Sequence, residues 1–393
     1  MQNTPPPPAS GAARPLEGVT VVEICHSIAG PYGAGILAQL GADVIKVENP
    51  DRGDDARAWG PPNWGGASTL FQAINRDKCG LAIDLKDEEG RDALRRLILE
   101  RADVVIQNMR PGAIDRLGLG AAELLAIAPR LIYCNIGAFG SVGPLSGKPG
   151  YDPLMQAQGG LMSVTGEASG GPVRIGTSLV DMGAGMWATI GVLAALSRRS
   201  ATGLGGVVDT SLFETSLAWM GVHVAGHLVS GEIRRPMGSG VAEIVPHQAF
   251  RTSDGYVMVA AGNDSLFGKL VSEMQLPELA QDPRFRHNFD RVDHRDELIP
   301  VLSRRFAQHA TAHWRAALDR AGVPVAPLQN IAEVIRDPQT LALGMIQSVP
   351  DKNLSLMGLP LRFDGVRPEC QRAAPTLGEH NTLLRRFTVE QPL

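Results

Sequence analysis

The chain has 393 residues, more than the roughly 250 to 300 over which one hydrophobic core keeps growing, so two domains are expected. Its composition, 44% hydrophobic and 20% charged, is that of a globular protein and excludes a disordered chain. The 37 basic and 41 acidic residues give a formal charge of −4, so no global positive field favours nucleic acid or an anionic membrane.

The cysteines and the N-terminal segment bear on the compartment. Four cysteines are scattered without CxxC spacing: Cys25, Cys79, Cys134 and Cys370. This pattern is typical of reduced thiols and predicts a cytoplasmic protein. Residues 1–14 lack the apolar segment of a secretion signal and are expected to form a flexible proline-rich tail. The longest apolar stretch, Met186 to Leu196, is about half of the ~20 residues that a membrane helix needs, so no membrane span is expected.

Residues 15–200 alternate between short β-branched runs and helical segments. VTVVEI precedes the helical PYGAGILAQLGA and the strand-like DVIKVE, and the alternation continues through LAIDL, EEGRDALRRLILERA, DVVIQN, AAELLAIA and RLIYCNI. This pattern predicts an α/β, Rossmann-like large domain with a parallel sheet. HSIAGPYGAG stands where the dinucleotide fingerprint GxGxxG would be, so NAD binding is not supported. The free N–H groups at this helix start can still hold an anion.

The pattern changes after residue 200. Residues 201–224 are interpreted as a linker, although VVDTSL is strand-like. QAFRT and GYVMVAAG, followed by helical stretches, predict a smaller α+β domain at 225–325. The remaining residues, 326–393, are rich in proline and glycine and begin as a second linker.

Asp181 is the most conspicuous candidate for chemistry. It follows the apolar Leu179 and Val180 and precedes Gly183, Gly185 and a long apolar helix. One interpretation is a helix cap, because Asp is among the preferred N-cap residues and the helix dipole stabilises a carboxylate there. The two glycines favour a functional interpretation, because they let a bulky ligand or another backbone approach the carboxylate. The residues alone leave both interpretations open.

Two histidine pairs have helical spacing but predict no metal site. His223 and His227 are one pair, and His309 and His313 are the other. Neither pair has the glutamate of the HExxH motif, and a metal site also needs a third ligand and outer-shell partners.

The chain resembles the class III CoA-transferases, which include formyl-CoA transferase, carnitine CoA-transferase and succinyl-CoA-dependent dicarboxylate CoA-transferases. Besides the Asp181 segment, the resemblance runs through PLEGVTVVEICHSIAGPYGAGILAQLGADVIKVENPDRGD, NRDKCGLAIDL, NMRPGAIDRLGL, DGYVMVAAGN, DPRF, AGVPVAPLQNIAEVIRDPQ and APTLGEHN. It implies an enzyme with acyl-CoA and small carboxylic acids as partners and no permanently bound cofactor. It further implies that 326–393 return to the large domain and that two chains interlock as a homodimer.

The resemblance also implies a covalent mechanism. In the family, the aspartate at the position of Asp181 attacks the donor acyl-CoA, giving a mixed anhydride and a CoA thiolate, and then becomes an aspartyl-CoA thioester. A carboxylate suits this exchange because nucleophile and acceptor are chemically alike. Tyr151 and Asp152 match positions close to the nucleophile, although a buried Asp152 could instead satisfy backbone donors.

Two further sets of residues are carried over from the family. The backbone N–H groups of Gly238, Ser239 and Gly240 are candidates for stabilising the oxyanion, with an ordinary turn as the alternative. The CoA-binding candidates are His26, Ser27, Ile28, Ala29, Lys78, Asn108, Met109 and Arg116. Arg116 and Lys78 suit phosphate oxygens, and Asn108 suits the adenine or pantetheine amides. Surface ion pairs, loop caps and, for His26, a core imidazole are the alternatives.

Two rival functions are weaker. α-Methylacyl-CoA racemases share the fold and the aspartate, but they carry a His–Asp pair where this chain has Tyr151 and Asp152. Stereoinversion needs two acid–base groups, and the histidine is missing. A noncatalytic CoA-binding subunit of a heteromer would be marked by loss of the nucleophile, whereas Asp181 is present.

The acyl substrates are predicted only as classes. Ile28 stands where oxalate-using members have glutamine, which argues against a formyl-CoA and oxalate enzyme. Succinyl-CoA is the expected donor, and a C3 to C5 dicarboxylate or a sulfinate analogue is the expected acceptor. A basic residue should then hold the distal anion, and Arg174 and Arg76 are candidates.

Overall fold

The computed structural model of the protein describes residues 14–350 and 352–388. Of the predicted tail, all but Arg14 lies outside the described residues. The strands are, in chain order, β1 (Thr20–Ile24), β2 (Asp43–Glu48), β3 (Asn63–Trp64), β4 (Ala67–Ser68), β5 (Cys79–Ala82), β6 (Val104–Gln107), β7 (Ile132–Gly137), β8 (Gly206–Ser211), β9 (His247–Arg251), β10 (Tyr256–Ala260), β11 (Val325–Pro327), β12 (Ile346–Ser348) and β13 (Ser355–Met357).

The helices complete the inventory of regular structure. The α-helices are α1 (Ala29–Gln39), α2 (Thr69–Asn75), α3 (Glu88–Arg101), α4 (Ala121–Ile127), α5 (Asp152–Gln158), α6 (Leu161–Val164), α7 (Leu179–Thr202), α8 (Leu212–Trp219), α9 (Gly221–Ser230), α10 (Asp264–Glu273), α11 (Asn288–Asp293), α12 (Arg295–Phe306), α13 (Thr311–Ala321), α14 (Ile331–Val334), α15 (Pro338–Ala342) and α16 (Arg385–Thr388). Short 3-10 helices lie at Asp55–Ala58, Asp115–Leu117, Pro277–Ala280 and Asn381–Leu384.

A six-stranded parallel sheet organises the first of two compact units, in the order β5-β2-β1-β6-β7-β8. Val21 of β1 pairs with Val44 of β2 on one side and with Val104 of β6 on the other. Every residue of β1 and β6 is buried, as expected where helices cover both faces of a parallel sheet. The sheet confirms the predicted α/β class. Its order reverses between β1 and β6, and such a reversal leaves a crevice at the carboxyl ends of the strands.

Residues 201–224, predicted as a linker, instead contain β8 and α8. β8 pairs with β7 over its whole length and closes one edge of the large sheet. Half-buried and exposed positions alternate along β8, as is usual for an edge strand, so its sequence lacks the continuous apolar run of the central strands. The linker interpretation of this segment was therefore wrong.

α1 and α7 pack closely against each other through two glycines. A Cβ atom on Gly185 of α7 would lie 2.5 Å from the carbonyl oxygen of Ala29, and one on Gly33 of α1 would lie 2.6 Å from the carbonyl oxygen of Gly185. The Thr189 hydroxyl lies 3.1 Å from the Gly33 carbonyl oxygen. Gly185 thus lets the α1 backbone approach α7, and the start of α7 lies beside the start of α1. Gly183 faces the side chains of Thr215 and Trp219, and the approach of a ligand to the Asp181 carboxylate stays a prediction.

Among the described residues, α7 is long and apolar enough to cross a membrane by length and composition alone. The core helix of a soluble protein passes the same test. Here α7 packs on α1 and on strands β7 and β8, and it buries Val180, Ala184, Ala188 and Val192. Its apolar character therefore has an explanation in packing, and the expectation of no membrane span stays a prediction.

The second unit comprises Met162–Arg174 and Ser230–Pro338, and it has its own core. Its antiparallel sheet has the order β11-β10-β9. Phe250 stacks on Phe306 with ring centroids 4.6 Å apart, and Trp314 meets Phe306 edge-on at 4.9 Å. This unit is larger than the segment 225–325 expected from the sequence, and it takes in most of α6 and the residues that follow it up to Arg174.

Candidate active site

Asp181 lies in the first turn of α7, but it does not cap that helix. The N-cap residue is Ser178, which makes no capping hydrogen bond through its side chain. The anion at this helix start is the carboxylate of Asp152, whose Oδ2 accepts hydrogen bonds from the backbone N–H of Val180 at 2.8 Å and of Asp181 at 3.3 Å. The cap interpretation of Asp181 is therefore wrong, and the capping interaction comes from a different element, α5.

The environment of Asp181 changes its acidity. Only 9% of the residue is exposed. Burial disfavours the charged form, the neighbouring negative charge of Asp152 adds to this effect, and together they raise the pKa of Asp181 to about 7. A carboxyl group with such a pKa is more basic, and so more nucleophilic when ionised, than an ordinary aspartate. Strongly shifted groups of this kind cluster at functional sites.

Asp152 is held in place by a buried amide that the sequence did not single out. The Gln156 side chain donates through Nε2 to Asp152 Oδ1 at 2.6 Å, and its Oε1 accepts from the backbone N–H of Ile175 at 2.9 Å. Asp152 is 2% exposed and Gln156 is fully buried. Asp152 thus satisfies backbone donors and also places a negative charge beside Asp181. The preceding Tyr151 is exposed.

The loop after β1 carries four of the predicted CoA-binding residues. Asn108 accepts from the backbone N–H of His26 at 3.0 Å and donates to the His26 carbonyl oxygen at 2.8 Å. Both polar ends of the Asn108 side chain are therefore engaged by the loop, so it holds the loop in this structure. Ser27 has a left-handed backbone with φ 68°. Ile28 and Ala29 are buried at the start of α1.

Lys78 lies inside the first unit, and its ammonium group is bound by protein groups. The lysine is fully buried, and its ammonium group donates to Glu23 Oε2 at 2.7 Å, to the Pro31 carbonyl oxygen at 2.7 Å and to Asn75 Oδ1 at 2.8 Å. All three N–H bonds are used, so the arrangement differs from the phosphate contact expected from the sequence. Burial lowers the pKa of Lys78 to about 8, although Glu23 opposes the shift.

A second buried lysine completes a charge cluster that the sequence analysis missed. Lys46 contacts Glu23 Oε1 at 3.0 Å, Asp54 Oδ2 at 2.9 Å and the Cys25 carbonyl oxygen at 3.0 Å. Burial would lower the pKa of Lys46, but the carboxylates of Glu23 and Asp54 outweigh it and raise that pKa. A signal was available, because Glu23 and Lys46 interrupt strands predicted to be buried, where a charge needs a partner.

A cavity of about 560 Å³ lies at the carboxyl ends of β1, β2, β5 and β6, where the strand order reverses. Three of the predicted CoA-binding residues line it: His26, Met109 and Arg116. The other five, Ser27, Ile28, Ala29, Lys78 and Asn108, do not. Arg52, Lys86 and Arg110 add positive charge to its wall, and Glu48, Asp54, Asp55 and Asp84 add negative charge. Helix α1 starts next to this cavity and contacts α7 near Asp181, so the first unit contains both the cavity and the aspartate.

The predicted glycine loop belongs to the second unit. Gly238 has φ 61°, and its backbone N–H donates to the Gly166 carbonyl oxygen at 2.8 Å. The N–H of Gly240 donates to the Met237 carbonyl oxygen at 3.0 Å, and the Ser239 hydroxyl accepts from a backbone N–H. Two of the three predicted oxyanion donors are therefore engaged in this conformation, and their role stays a prediction.

The remaining candidates are placed as follows. Arg174 is exposed in the second unit. Arg76 is 1% exposed and contacts Gln39 and Asp77, so it is enclosed in the first unit. Within residues 14–350 and 352–388, no group of three or more His, Cys, Asp or Glu side chains is arranged to hold a metal ion.

Comparison with known proteins gives consistent matches. Residues 16–381 match the model of CoA-transferase family III. Human succinyl-CoA:glutarate CoA-transferase is 36% identical over 372 residues, which cover 94% of this chain and 85% of the relative. Acetyl-CoA:oxalate CoA-transferase from Acetobacter aceti is 37% identical over 388 residues, covering 98% of each. The crystal structure of a CAIB/BAIF family protein from Brucella suis has a TM-score of 0.86 at 38% identity, covering 96% of this chain and all of that one. The chain therefore belongs to CoA-transferase family III and is a CoA-transferase.

Proposed function

We propose that this enzyme moves CoA from succinyl-CoA to a small carboxylic acid through covalent intermediates on Asp181. The observation that carries the proposal is the buried Asp181 carboxyl, with its pKa raised to about 7, on the helix that packs against the start of α1. This carboxyl is largely ionised just above neutral pH and is more nucleophilic than an exposed carboxylate.

The chemical steps balance without a further reagent. The Asp181 carboxylate attacks the thioester carbonyl of the donor, the C–S bond breaks, and a mixed anhydride and a CoA thiolate result. The thiolate attacks the aspartyl carbonyl, which releases the donor acid and leaves an aspartyl-CoA thioester. The acceptor carboxylate then attacks this thioester to form a second anhydride, and the thiolate takes the acyl group and regenerates Asp181. Each step exchanges similar acyl groups, so no intermediate need be much lower in energy than the others.

The cavity at the carboxyl ends of the strands is the proposed site for the nucleotide part of CoA. Its arginines can form bidentate hydrogen bonds to phosphate oxygens, and Arg116 matches the family position for this contact. Its apolar wall residues, such as Met109 and Leu117, suit the adenine or pantetheine. The pantetheine chain would then run past the His26 loop toward α7.

The acids are proposed from chemistry and from the named relatives together. A C3 to C5 dicarboxylate or a sulfinate analogue remains the proposed acceptor, because one relative named above uses glutarate. The other is named for oxalate and is equally similar, so the argument from Ile28 against oxalate needs a direct test. That test is a panel of acids, including glutarate and oxalate, incubated with succinyl-CoA and read by mass spectrometry of the CoA esters.

The expected result is a new CoA ester from at least one dicarboxylate, and none from the Asp181→Asn variant. Absence of exchange with every acid and donor tested would contradict the proposed activity. Inversion of an α-methylacyl-CoA by the wild-type chain would instead favour the racemase alternative, which needs a second acid–base group that Tyr151 does not readily supply.

The Gly238–Gly240 loop is proposed to shield the anhydride from water during turnover. An exposed anhydride hydrolyses, and hydrolysis would compete with transfer. Gly238 and Gly240 have no Cβ atom, so the loop can take alternative backbone conformations in which their N–H groups leave the acceptors that they bind here. Gly240→Ala should restrict such rotations and raise the ratio of hydrolysis to transfer, whereas an unchanged ratio would count against shielding.

The proposed quaternary structure is an interlocked homodimer in the cytoplasm. Large apolar side chains of α7 and α9 are exposed on the single chain, including Trp187, Ile190, Val222, Leu228 and Val229. A cluster of this kind favours a covered interface, and a second copy of the chain is the proposed cover. The four cysteines are free and buried, which suits a reducing compartment.

A further inference from the structure

The backbone on both sides of His26 is fixed by the side chains of Lys46 and Asp54, which are buried, and of Asn108, which is half-buried. Lys46 donates to the carbonyl oxygen of Cys25, and Asp54 Oδ1 accepts from the backbone N–H of Ser27 at 2.9 Å. Asn108 binds both the N–H and the carbonyl oxygen of His26. Four consecutive polar groups of the loop backbone are thus hydrogen-bonded: the Cys25 carbonyl, the His26 N–H and carbonyl, and the Ser27 N–H. The side chains that bind them come from β2, from the segment after it and from the end of β6.

Ser27 shows why this support is needed. Its φ of 68° lies in the left-handed region, which a residue with a Cβ atom rarely adopts unless the surroundings hold it there. The hydrogen bond from its N–H to Asp54 is the contact that holds it. Asp54 is itself fixed, because it also accepts from the Ala56 N–H at 2.9 Å and pairs with Lys46 at 2.9 Å.

We propose that Asp54 is a positioning residue for the acyl-CoA substrate, because it holds the His26–Ala29 loop in the conformation that binds CoA. The inference rests on the proposed function of the cavity beside this loop. Asp54 acts through Ser27, and Lys46 orients Asp54 and fixes Cys25. The loop is then ordered before the substrate arrives, so less conformational entropy is lost on binding.

The charges of the cluster decide how the proposal must be tested. Lys46, Glu23 and Lys78 are fully buried and Asp54 is 3% exposed, so two positive and two negative charges share an interior site. Removing Asp54 alone would leave an uncompensated buried charge and destabilise the fold for a reason unrelated to the loop. Lys46 must therefore be neutralised in the same variant.

The decisive pair of variants is Lys46→Met/Asp54→Asn and Lys46→Met/Asp54→Ala. Both leave Glu23 paired with Lys78 and have no net buried charge. They differ in the side-chain oxygen at position 54, which in the Asn variant can still accept from the Ser27 and Ala56 N–H groups and which the Ala variant lacks. Free CoA is titrated calorimetrically into each variant and into the wild type, KM and kcat are measured for succinyl-CoA, and melting temperatures are recorded.

The Ala double variant should bind CoA about tenfold more weakly than the Asn double variant, the equivalent of one lost hydrogen bond to the backbone. KM for succinyl-CoA should be higher in the Ala than in the Asn double variant with little difference in kcat, because both variants lack Lys46 equally. Equal CoA affinities of the two variants, whatever their melting temperatures, would overturn the proposal. No measurable CoA binding by the wild type would overturn the proposed function and this inference with it.

A measurement on the unmodified enzyme covers the case in which both variants fail to fold. Hydrogen exchange of the Ser27 amide in the enzyme without CoA should be slow, because the proposal requires that the bond to Asp54 be formed before binding. Exchange at the rate of an unstructured loop in the free enzyme would contradict preorganisation by Asp54.

Discussion

Replacing Asp181 by Asn is expected to make the protein more stable at alkaline pH while abolishing transfer. In the folded chain, burial and the charge of Asp152 raise the pKa of Asp181 from 3.8 to about 7. The folded state therefore holds this proton more tightly than the unfolded state. Ionisation of Asp181 in the folded state therefore destabilises the fold. This destabilisation is absent below pH ~4, grows as the pH rises toward ~7 and is complete above pH ~7. A shift of about 3 pH units corresponds to a cost on the order of 4 kcal/mol.

Asn has about the same size as Asp and carries no charge, so the variant does not have the free-energy cost of ionising a buried carboxyl. Urea unfolding of the wild type and of Asp181→Asn at pH 5 and pH 8 measures the difference. The variant should gain about 2 to 3 kcal/mol more at pH 8 than at pH 5, because only part of the cost has developed at the lower pH. Asp51→Asn is the control, since Asp51 is exposed and its charge has no burial cost. A stability gain for Asp181→Asn that is the same at both pH values would refute the reasoning.

Three further predictions follow from the same geometry. In a pH–rate profile, the acid limb of kcat/KM should have a midpoint near pH 7, because protonated Asp181 cannot attack. Asp152→Asn removes the neighbouring negative charge and should move that midpoint to lower pH. An unmoved midpoint would count against a charge interaction between Asp152 and Asp181. Gly185→Ala should destabilise the fold by about 1 to 3 kcal/mol in thermal unfolding, because the added Cβ would overlap the Ala29 carbonyl oxygen. The control Gly268→Ala should not destabilise it, because the space at that Cβ position is open. The wild type should sediment as a dimer at micromolar concentration and Leu228→Glu should shift it toward monomer; an active wild-type monomer would exclude the interlocked assembly.

The strands of the large sheet could be predicted because their signals are local in sequence, whereas the role of Asp181 as nucleophile rests on the family resemblance and stays a prediction. The β-branched runs of β1, β2 and β6 are continuous, and each is separated from the next by a helical pattern. The two glycines after Asp181 indicated a close approach, and the Ala29 carbonyl is the group that approaches Gly185. VVDTSL is strand-like in sequence, but an edge strand lacks the apolar run of the central strands, so its place in the large sheet could not be predicted and residues 201–224 are interpreted as a linker.

The support of the site could not be predicted from local patterns. The family resemblance implies that Lys78 binds CoA, and a lysine suits phosphate oxygens, yet Glu23, which is 55 residues away in sequence, binds its ammonium group. The resemblance also implies that Asn108 binds the adenine or the pantetheine amides of CoA, yet in this structure its amide binds the backbone of His26. These pairings depend on which strands are neighbours in the sheet, and the spacing of residues along the chain does not contain that information.

Covalent trapping of Asp181 tests the central claim most directly. The wild-type enzyme is incubated with succinyl-CoA and hydroxylamine, digested, and examined by mass spectrometry, with Asp181→Asn and a sample without acyl-CoA as controls. The account predicts that Asp181 is converted to its hydroxamate only in the wild type and only when succinyl-CoA is present. Unmodified Asp181 in a sample that is turning over, or near-normal transfer by the Asn variant, would contradict it.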